Sequence, residues 1–248
     1  MRLKRFLILT ILIFCGLQFL SCNSHNHEAV QPVAAKHQAT TTEQIQHNID
    51  SLKTMATDGD LVVRMNDNLI SYAVKSLNET DKSFSHSGII ITLDHEKMVC
   101  SIEPGNKGAD TVRFEPIDSF INPQHNLACG LFRYNLSDAE RALFLGKLIK
   151  YHESKTRFDM RYDLTTDHYI YCTEMIYKSL KKATNDRIHI RLSHMPHEAV
   201  PLMKLYFERY NFAKEVVATR KFVTIDNLYL LPECKEIIRF PLKYFPGQ

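Results

Sequence analysis

Cysteine is sparse in this sequence, and its spacing excludes two common kinds of small domain. The 248 residues contain six cysteines, namely Cys15, Cys22, Cys100, Cys129, Cys172 and Cys234. Their separations match neither a disulfide framework nor the paired ligands of a zinc site. A single bridge, with Cys100 and Cys129 as the candidate pair, stays open in an oxidising compartment. Each cysteine must therefore be interpreted on its own.

A surplus of one charge is also absent once the N-terminus is set aside. The full chain has 31 Lys and Arg against 28 Asp and Glu, and residues 1–21 carry three of the cations and no acid, which leaves 28 of each. Proteins that bind nucleic acids concentrate positive charge. The overall composition therefore predicts neither a nucleic acid nor an anionic membrane surface as a partner.

The N-terminus lacks a hydrophobic run long enough to span a bilayer well. Three cations among the first five residues precede an apolar run over 6–20, which is shorter than the roughly 20 residues that a membrane helix needs. This pattern is typical of a secretory signal. The pair Ser21-Cys22 resembles the lipobox of bacterial lipoproteins. That resemblance implies removal of 1–21 and a lipid anchor on Cys22 in the bacterial cell envelope. The alternative is a secreted protein with a free Cys22.

No internal repeat divides the rest of the chain. Residues 22–40 are polar and aperiodic, which favours a flexible tether, and residues 41–248 are predicted to form a single domain. A helix is predicted from Thr41 to the glycine at position 59, because apolar residues recur at helical spacing. A second is predicted over 69–77 and a third over 137–155, where Ser137 and Glu140 form a capping box. Strands are predicted over 61–65, 110–117 and 127–135, and a short helix near the C-terminus.

The segment 85–104 has the alternation of a β-hairpin with one buried face. With the turn at His95-Glu96, Asp94 lies opposite Lys97, and three apolar pairs face each other, namely Leu93 with Met98, Ile91 with Cys100 and Ile89 with Ile102. In that register Glu103 lies opposite Gly88 and one diagonal step from His86, a β-carbon separation of about 7 Å. The hairpin therefore predicts a histidine and a carboxylate together on the more open face.

Cys172 lies where an apolar stretch becomes a helical pattern, at the first turn of the predicted helix. Buried cysteine usually packs as a small apolar side chain, and Cys172 shares a stripe with Met175 and Ile176. At a helix N-terminus, however, free N–H groups and the helix dipole stabilise an anion and lower a thiol pKa. A thiol nucleophile also needs a base with an orienting partner, and His86 with Glu103 offers one.

Four motifs together resemble a known family. They are "GDLV" at 59–62, "FSHSGIII" at 84–91, "IEP" at 102–104 and "YCTEMIY" at 171–177. They resemble the YiiX/YebB-like group, which are circularly permuted NlpC-type papain-fold cysteine hydrolases. In this group the histidine precedes the cysteine along the chain, as it does here. The resemblance implies an α+β, permuted papain-like fold, in which an antiparallel sheet packs against the helix that carries the cysteine.

The resemblance also implies roles for individual residues. Cys172 would be the nucleophile, His86 the general base and later acid, and Glu103 the residue that orients His86 and favours its charged form. The N–H of Cys172 would contribute to an oxyanion hole. Tyr171 is a candidate substrate-binding residue, with a packed aromatic ring as the alternative. No metal and no organic cofactor are expected.

The expected function is amide hydrolysis through a thioester by an envelope-anchored enzyme. Peptidoglycan-type peptides are the expected substrates, by compartment and by analogy with the wider superfamily. A second hypothesis keeps the same residues in a thiol acyltransferase or lipid-directed hydrolase. A third is a catalytically silent binding lipoprotein.

Overall fold

The fold is described by a computed structural model, which covers residues 33–105, 109–196, 199–201, 203 and 221–243. The expected signal segment 1–21 and Cys22 lie outside these residues. Within them, no helix has both the length and the hydrophobicity to cross a bilayer. The fold is α+β, as the sequence predicts.

A six-stranded antiparallel sheet forms the centre of the molecule, in the order β10-β5-β1-β2-β3-β4. The first four strands follow one another as a meander, and β5 returns to pair with β1. The strands are β1 (Leu61–Asn66), β2 (His86–Leu93), β3 (Glu96–Ser101), β4 (Arg113–Pro116), β5 (Asn126–Tyr134) and β10 (Cys234–Pro241). Two-stranded pairs are formed by β6 (Arg157–Phe158) with β7 (Tyr169–Ile170), and by β8 (Ser193–His194) with β9 (Lys221–Phe222).

Helices and loops cover both faces of the sheet. The helices are α1 (Val33–Met55), α2 (Leu69–Lys75), α3 (Ile117–Phe120), α4 (Asp138–Glu153) and α5 (Cys172–Ala183). Side chains of α4 and α5 pack in the larger core with Ile89 and Cys100. Side chains of α1 and α3 pack in a second core with Ile90 and Val99. The prediction that this second face of the hairpin is the more open one is therefore wrong, because α1 and α3 bury it.

The β2–β3 hairpin forms in a register two residues away from the predicted one. Leu93 pairs with Glu96 and Ile89 with Cys100. The turn consists of Asp94 and His95, whose φ angles are 49° and 67°, as a tight two-residue hairpin turn requires. A shift of two keeps every side chain on its predicted face. Continuing this register beyond the last paired residues brings Glu103 directly opposite His86.

Several predicted elements appear with small changes at their ends, and the prediction of a tail helix is wrong. Ser137 and Glu140 form the predicted capping box of α4. Helix α1 begins at Val33, within the segment expected to be a tether. Near the C-terminus the chain forms a short 3-10 helix (Asp226–Leu228) and then edge strand β10, where a tail helix was predicted.

The four described cysteines are all free. Cys100 is buried in the core on the α5 side of the sheet, whereas Cys129 is buried in the core on the α1 side. The sheet therefore separates the two thiols, and the candidate bridge between them does not form.

Candidate functional site

A cavity of about 290 Å³ opens at one end of the sheet. Because neighbouring strands run antiparallel, the end of β1, the start of β2 and the chain after β3 all meet there. Helix α5 begins at the same place. The lining includes Asn66 from β1, His86 from β2, Glu103 after β3 and Cys172 from α5. His86, Glu103 and Cys172, the three site residues proposed from the sequence, therefore border one cavity.

Cys172 is the first residue of α5, as predicted. Tyr171 precedes it in an extended conformation, with φ −102° and ψ 169°. The Glu174 carboxylate accepts a hydrogen bond from the Tyr171 N–H at 3.2 Å, which fixes the start of the helix. The thiol is half-buried and lies at the positive end of the helix dipole.

The pKa of Cys172 is not lowered, contrary to the sequence-based expectation. Burial raises it to about 11. The Ser87 hydroxyl, the Thr173 N–H and the Ser87 backbone act in the opposite direction and favour the thiolate. The Ser87 hydroxyl lies near the thiol and favours the thiolate, although it forms no hydrogen bond of good geometry. The resting group is therefore a neutral thiol with stabilising groups already beside it.

His86 is the first residue of β2, and 6% of it is exposed. Its ring packs against Phe120, with centroids 5.5 Å apart. Its Nε2 lies 3.5 Å from Oε1 of Glu103 and forms no well-shaped hydrogen bond. The predicted histidine and carboxylate are therefore neighbours, and the carboxylate charge acts on the imidazole without a hydrogen bond between them.

Two arginines hold Glu103, and the sequence did not indicate either of them. The guanidinium of Arg64 donates to Oε1, and Arg113 donates to Oε2 at 2.5 Å. Although burial opposes ionisation, His86 and both arginines lower the pKa of Glu103 to about 2. Arg64 is itself buried, donates to the Phe120 carbonyl at 2.6 Å and lies 4.2 Å above the Phe120 ring.

These surroundings keep His86 neutral. Burial is the main cause, and it lowers the pKa of His86 to about 3. Glu103 acts to raise this pKa, whereas Arg64 and Arg113 act to lower it. Glu103 thus favours the charged form of His86, as expected, but burial of the ring outweighs it and the two arginines add to the effect of burial, so His86 stays neutral.

Tyr171 and Asp60 have structural roles. The Tyr171 ring borders the cavity, but its buried hydroxyl accepts a hydrogen bond from the Val223 N–H at 3.1 Å. This bond fastens the start of α5 to the segment that forms the opposite wall. Asp60 accepts from the Thr57 N–H at 2.8 Å and pairs with Arg133 at 2.7 Å, so it holds the turn before β1.

The remaining wall of the cavity is largely apolar. Its side chains come from α2 and the residues just after it, from the segment that begins in β9, and from the aromatic residues Phe158 and Tyr162. They are Ile70, Val74, Leu77, Phe158, Tyr162, Phe222, Val223 and Ile225. A group bound next to Cys172 would therefore meet polar atoms on one side and hydrocarbon on the other.

Comparison with known proteins gives a likeness to a solved structure. No protein-family model matches this chain, and no curated protein matches it by sequence. The solved structure of metalloprotein yiiX from Escherichia coli O157:H7 is similar, with a TM-score of 0.60 over 75% of this chain and 98% of that chain. The chain has a YiiX-like fold. At 16% sequence identity, the likeness establishes the fold alone.

The YiiX-like fold raises the question of a metal, since the similar protein is described as a metalloprotein. Within the described ranges of this chain, no cluster of three or more His, Cys, Asp and Glu side chains is arranged to hold a metal ion. Two histidines near the C-terminal side of α5 are other possible ligands. His189 is exposed and lies 3.5 Å from Asp186, and His197 lies outside the described residues. The described residues therefore do not fit a metal centre.

Proposed function

We propose that this chain is a cysteine hydrolase that cleaves an amide bond through a thioester. The observation that carries the proposal is the convergence of Cys172, His86 and Glu103 on one cavity. Cys172 is assigned as the nucleophile and His86 as the base. Glu103 is assigned as a positioning residue, because it contacts His86 and is itself fixed by two arginines. A relationship to permuted NlpC-type hydrolases belongs to the same proposal.

The reaction starts from an uncharged pair. As Sγ of Cys172 attacks the carbonyl carbon, the thiol proton passes to His86. The tetrahedral intermediate collapses, the C–N bond breaks, and His86 returns the proton to the leaving nitrogen. Water then attacks the thioester while His86 accepts its proton and delivers it to the departing sulfur. General acid–base assistance of this kind contributes roughly a hundred- to ten-thousand-fold in rate.

The Cys172 N–H is the proposed oxyanion donor, since the first N–H groups of a helix have no partner within the helix. Burial also assists the reaction. A neutral thiol and a neutral imidazole tolerate a site with little water, whereas a separated ion pair would be costly there. The charge that develops during attack is then stabilised by groups already in place.

Peptide amides of the cell envelope are the proposed substrates, delivered to an enzyme anchored through Cys22. Support comes from the N-terminal sequence and from the family resemblance. The apolar wall favours a second candidate, a thiol acyltransferase or lipid-directed hydrolase acting on an acyl group. A catalytically silent binding lipoprotein is the third candidate.

Mass spectrometry of cell-wall fragments and of lipid extracts, each incubated with the protein, tests these candidates together. The amide hydrolase predicts new carboxyl and amine termini in the muropeptides, and none with Cys172→Ala. An acyl group transferred from lipid, with the muropeptides intact, would select the second candidate. If both extracts are unchanged by active protein and variant alike, the proposed enzyme activity is wrong.

A further inference from the structure

A basic groove lies between α4 and α5, away from the cavity. We define it by its charged lining, with seven cations, Lys147, Lys150, Lys155, Arg157, Lys178, Lys181 and Lys182, against two acids, Asp167 and Asp186. Residues 22–248 carry equal numbers of acids and cations. The excess of positive charge in the groove is therefore local, because the composition of residues 22–248 is balanced.

Part of this charge is neutralised and part is free. Lys178 lies 2.8 Å from Asp167 and 2.9 Å from buried Glu174. Arg157 pairs with Asp110 at 2.7 Å, and Lys181 is 4.0 Å from Asp186. The other four lysines, Lys147, Lys150, Lys155 and Lys182, have no carboxylate within ion-pair distance in the described ranges. Lys147 also lies 4.4 Å from the centroid of the Tyr151 ring. None of the four has to break an ion pair before it attracts an external anion.

Exposed apolar side chains border the same groove. Leu143, on α4, is 63% exposed, and Tyr169, in the chain leading to α5, is 46% exposed. Gly146 lines the groove beside Leu143 and leaves open space where a side chain would project. A soluble anion would use the lysines but would gain nothing from Leu143. Lysines mixed with Leu and Tyr suit the boundary between lipid headgroups and acyl chains.

We propose that the basic groove docks on a bilayer that contains anionic phospholipids. The four unpaired lysines would lie among the phosphates, while Leu143 and Tyr169 would enter the headgroup boundary. Juxtamembrane lysine clusters bind anionic leaflets in this way, and the attraction weakens as salt rises. The inference depends on the groove alone and holds whether or not Cys172 is a nucleophile.

Lysine footprinting on the full chain tests the docking. The chain is reconstituted in phosphatidylcholine vesicles, or in vesicles with one third phosphatidylglycerol, and brief acetylation is read by mass spectrometry. We expect a several-fold fall in the acetylation of Lys147, Lys150 and Lys182 in the anionic vesicles, reversed by high salt. Lys75 and Lys235, outside the groove, should react equally in both.

Paired variants sharpen the test. The double change Lys147→Glu and Lys150→Glu should abolish the protection of Lys182, whereas Lys75→Glu with Lys235→Glu, the same change in charge elsewhere, should preserve it. Equal acetylation of the groove in both vesicle types would overturn the proposal. Protection by soluble polyphosphate without vesicles, at matched ionic strength, would also overturn it and would indicate a soluble polyanion.

Discussion

Burial governs the protonation of the two side chains proposed to react. It raises the pKa of Cys172 and lowers that of His86, so each group is uncharged near neutral pH. Helix α5 contributes a favourable dipole, but the dipole does not overcome the loss of water around the sulfur. The base is therefore ready to accept a proton, and the nucleophile has a proton to give.

Alkylation of Cys172 should be slow at pH 7 and should accelerate toward the pH of its raised pKa, about 11. The reason is that iodoacetamide reacts with the thiolate. Peptide mass spectrometry after timed labelling measures the rate, with Cys172→Ser as the control for the other thiols. Rapid labelling of Cys172 at pH 6 would show that the thiol is already ionised and would contradict this account.

Acid should destabilise the folded protein through His86. Because its folded pKa is about 3, below the ordinary value near 6.5, only the unfolded chain gains this proton as the pH falls through that interval. Stability is then lost at up to about 1.4 kcal/mol per pH unit. Urea unfolding at pH 7, 6 and 5 should show a steeper loss for the native sequence than for His86→Gln. An unchanged slope would be incompatible with a buried neutral His86, and exposed His189→Gln is the matched control.

Glu103→Gln should destabilise the protein by about 3 kcal/mol, because it leaves the buried Arg64 cation without its carboxylate. Glu115→Gln is the comparison, since Glu115 lies 3.4 Å from Arg113 and its loss leaves the Glu103 pairs intact. A cost of about 1 kcal/mol is expected there. Chemical denaturation at pH 7 measures both, and equal costs would show that Glu103 has no special structural role.

The sequence indicates which residues form the site, but it does not indicate which side chains surround them. His86, Glu103 and Cys172 stand in motifs, so their meeting at one cavity could be predicted. Arg64 and Arg113 stand in ordinary strand patterns, where an arginine usually faces solvent. Ser87 follows His86 and resembles any small strand residue. Only the three-dimensional pairing shows that these side chains set the pKa values of the site.

At the scale of secondary-structure elements, the β2–β3 hairpin positions Glu103. Gly88 lies close to β3, and a β-carbon there would be 2.4 Å from Cγ1 of Val99 and 3.0 Å from the Cys100 carbonyl oxygen. The two strands therefore approach more closely at Gly88 than any other residue would allow.

Gly88→Ala should destabilise the protein by about 1–3 kcal/mol, because the added carbon has no space without a shift of β3. Gly146→Ala is the matched control. Gly146 lies within α4 with no atom near the position of a β-carbon, so alanine should stabilise the helix by about 0.5–1 kcal/mol. Thermal unfolding distinguishes the opposite signs, and a neutral Gly88→Ala would mean that the strands are less tightly packed than described.

Some elements could be predicted and others could not, for reasons of local geometry. The alternation in β2 and β3 gives the faces, but it cannot separate registers that differ by two residues, since both preserve the alternation. The positive φ angles of Asp94 and His95 settle the choice. Strand β10 escaped prediction because its pairing shifts between Glu236 and Ile238, which breaks the alternation that identifies a strand.

At the scale of the whole molecule, the sheet divides the apolar interior into two cores, and the cavity lies at its end. His86 belongs to the side covered by α3, whereas Cys172 begins the helix on the other side. Both border the cavity because β2 and α5 begin at the same end of the sheet. The basic groove occupies the outer surface of α4 and α5, so the proposed membrane contact and the cavity share α5.

The central claim is that Cys172 and His86 act together across this cavity. Intact-protein and peptide mass spectrometry during hydrolysis of p-nitrophenyl acyl esters tests it most directly, with quenching in acid to trap a thioester. The account predicts an acyl adduct on Cys172, none in Cys172→Ala, and a rate of formation lowered at least about a hundredfold in His86→Ala. Equal adduct formation in His86→Ala, or an adduct on another residue, would contradict it.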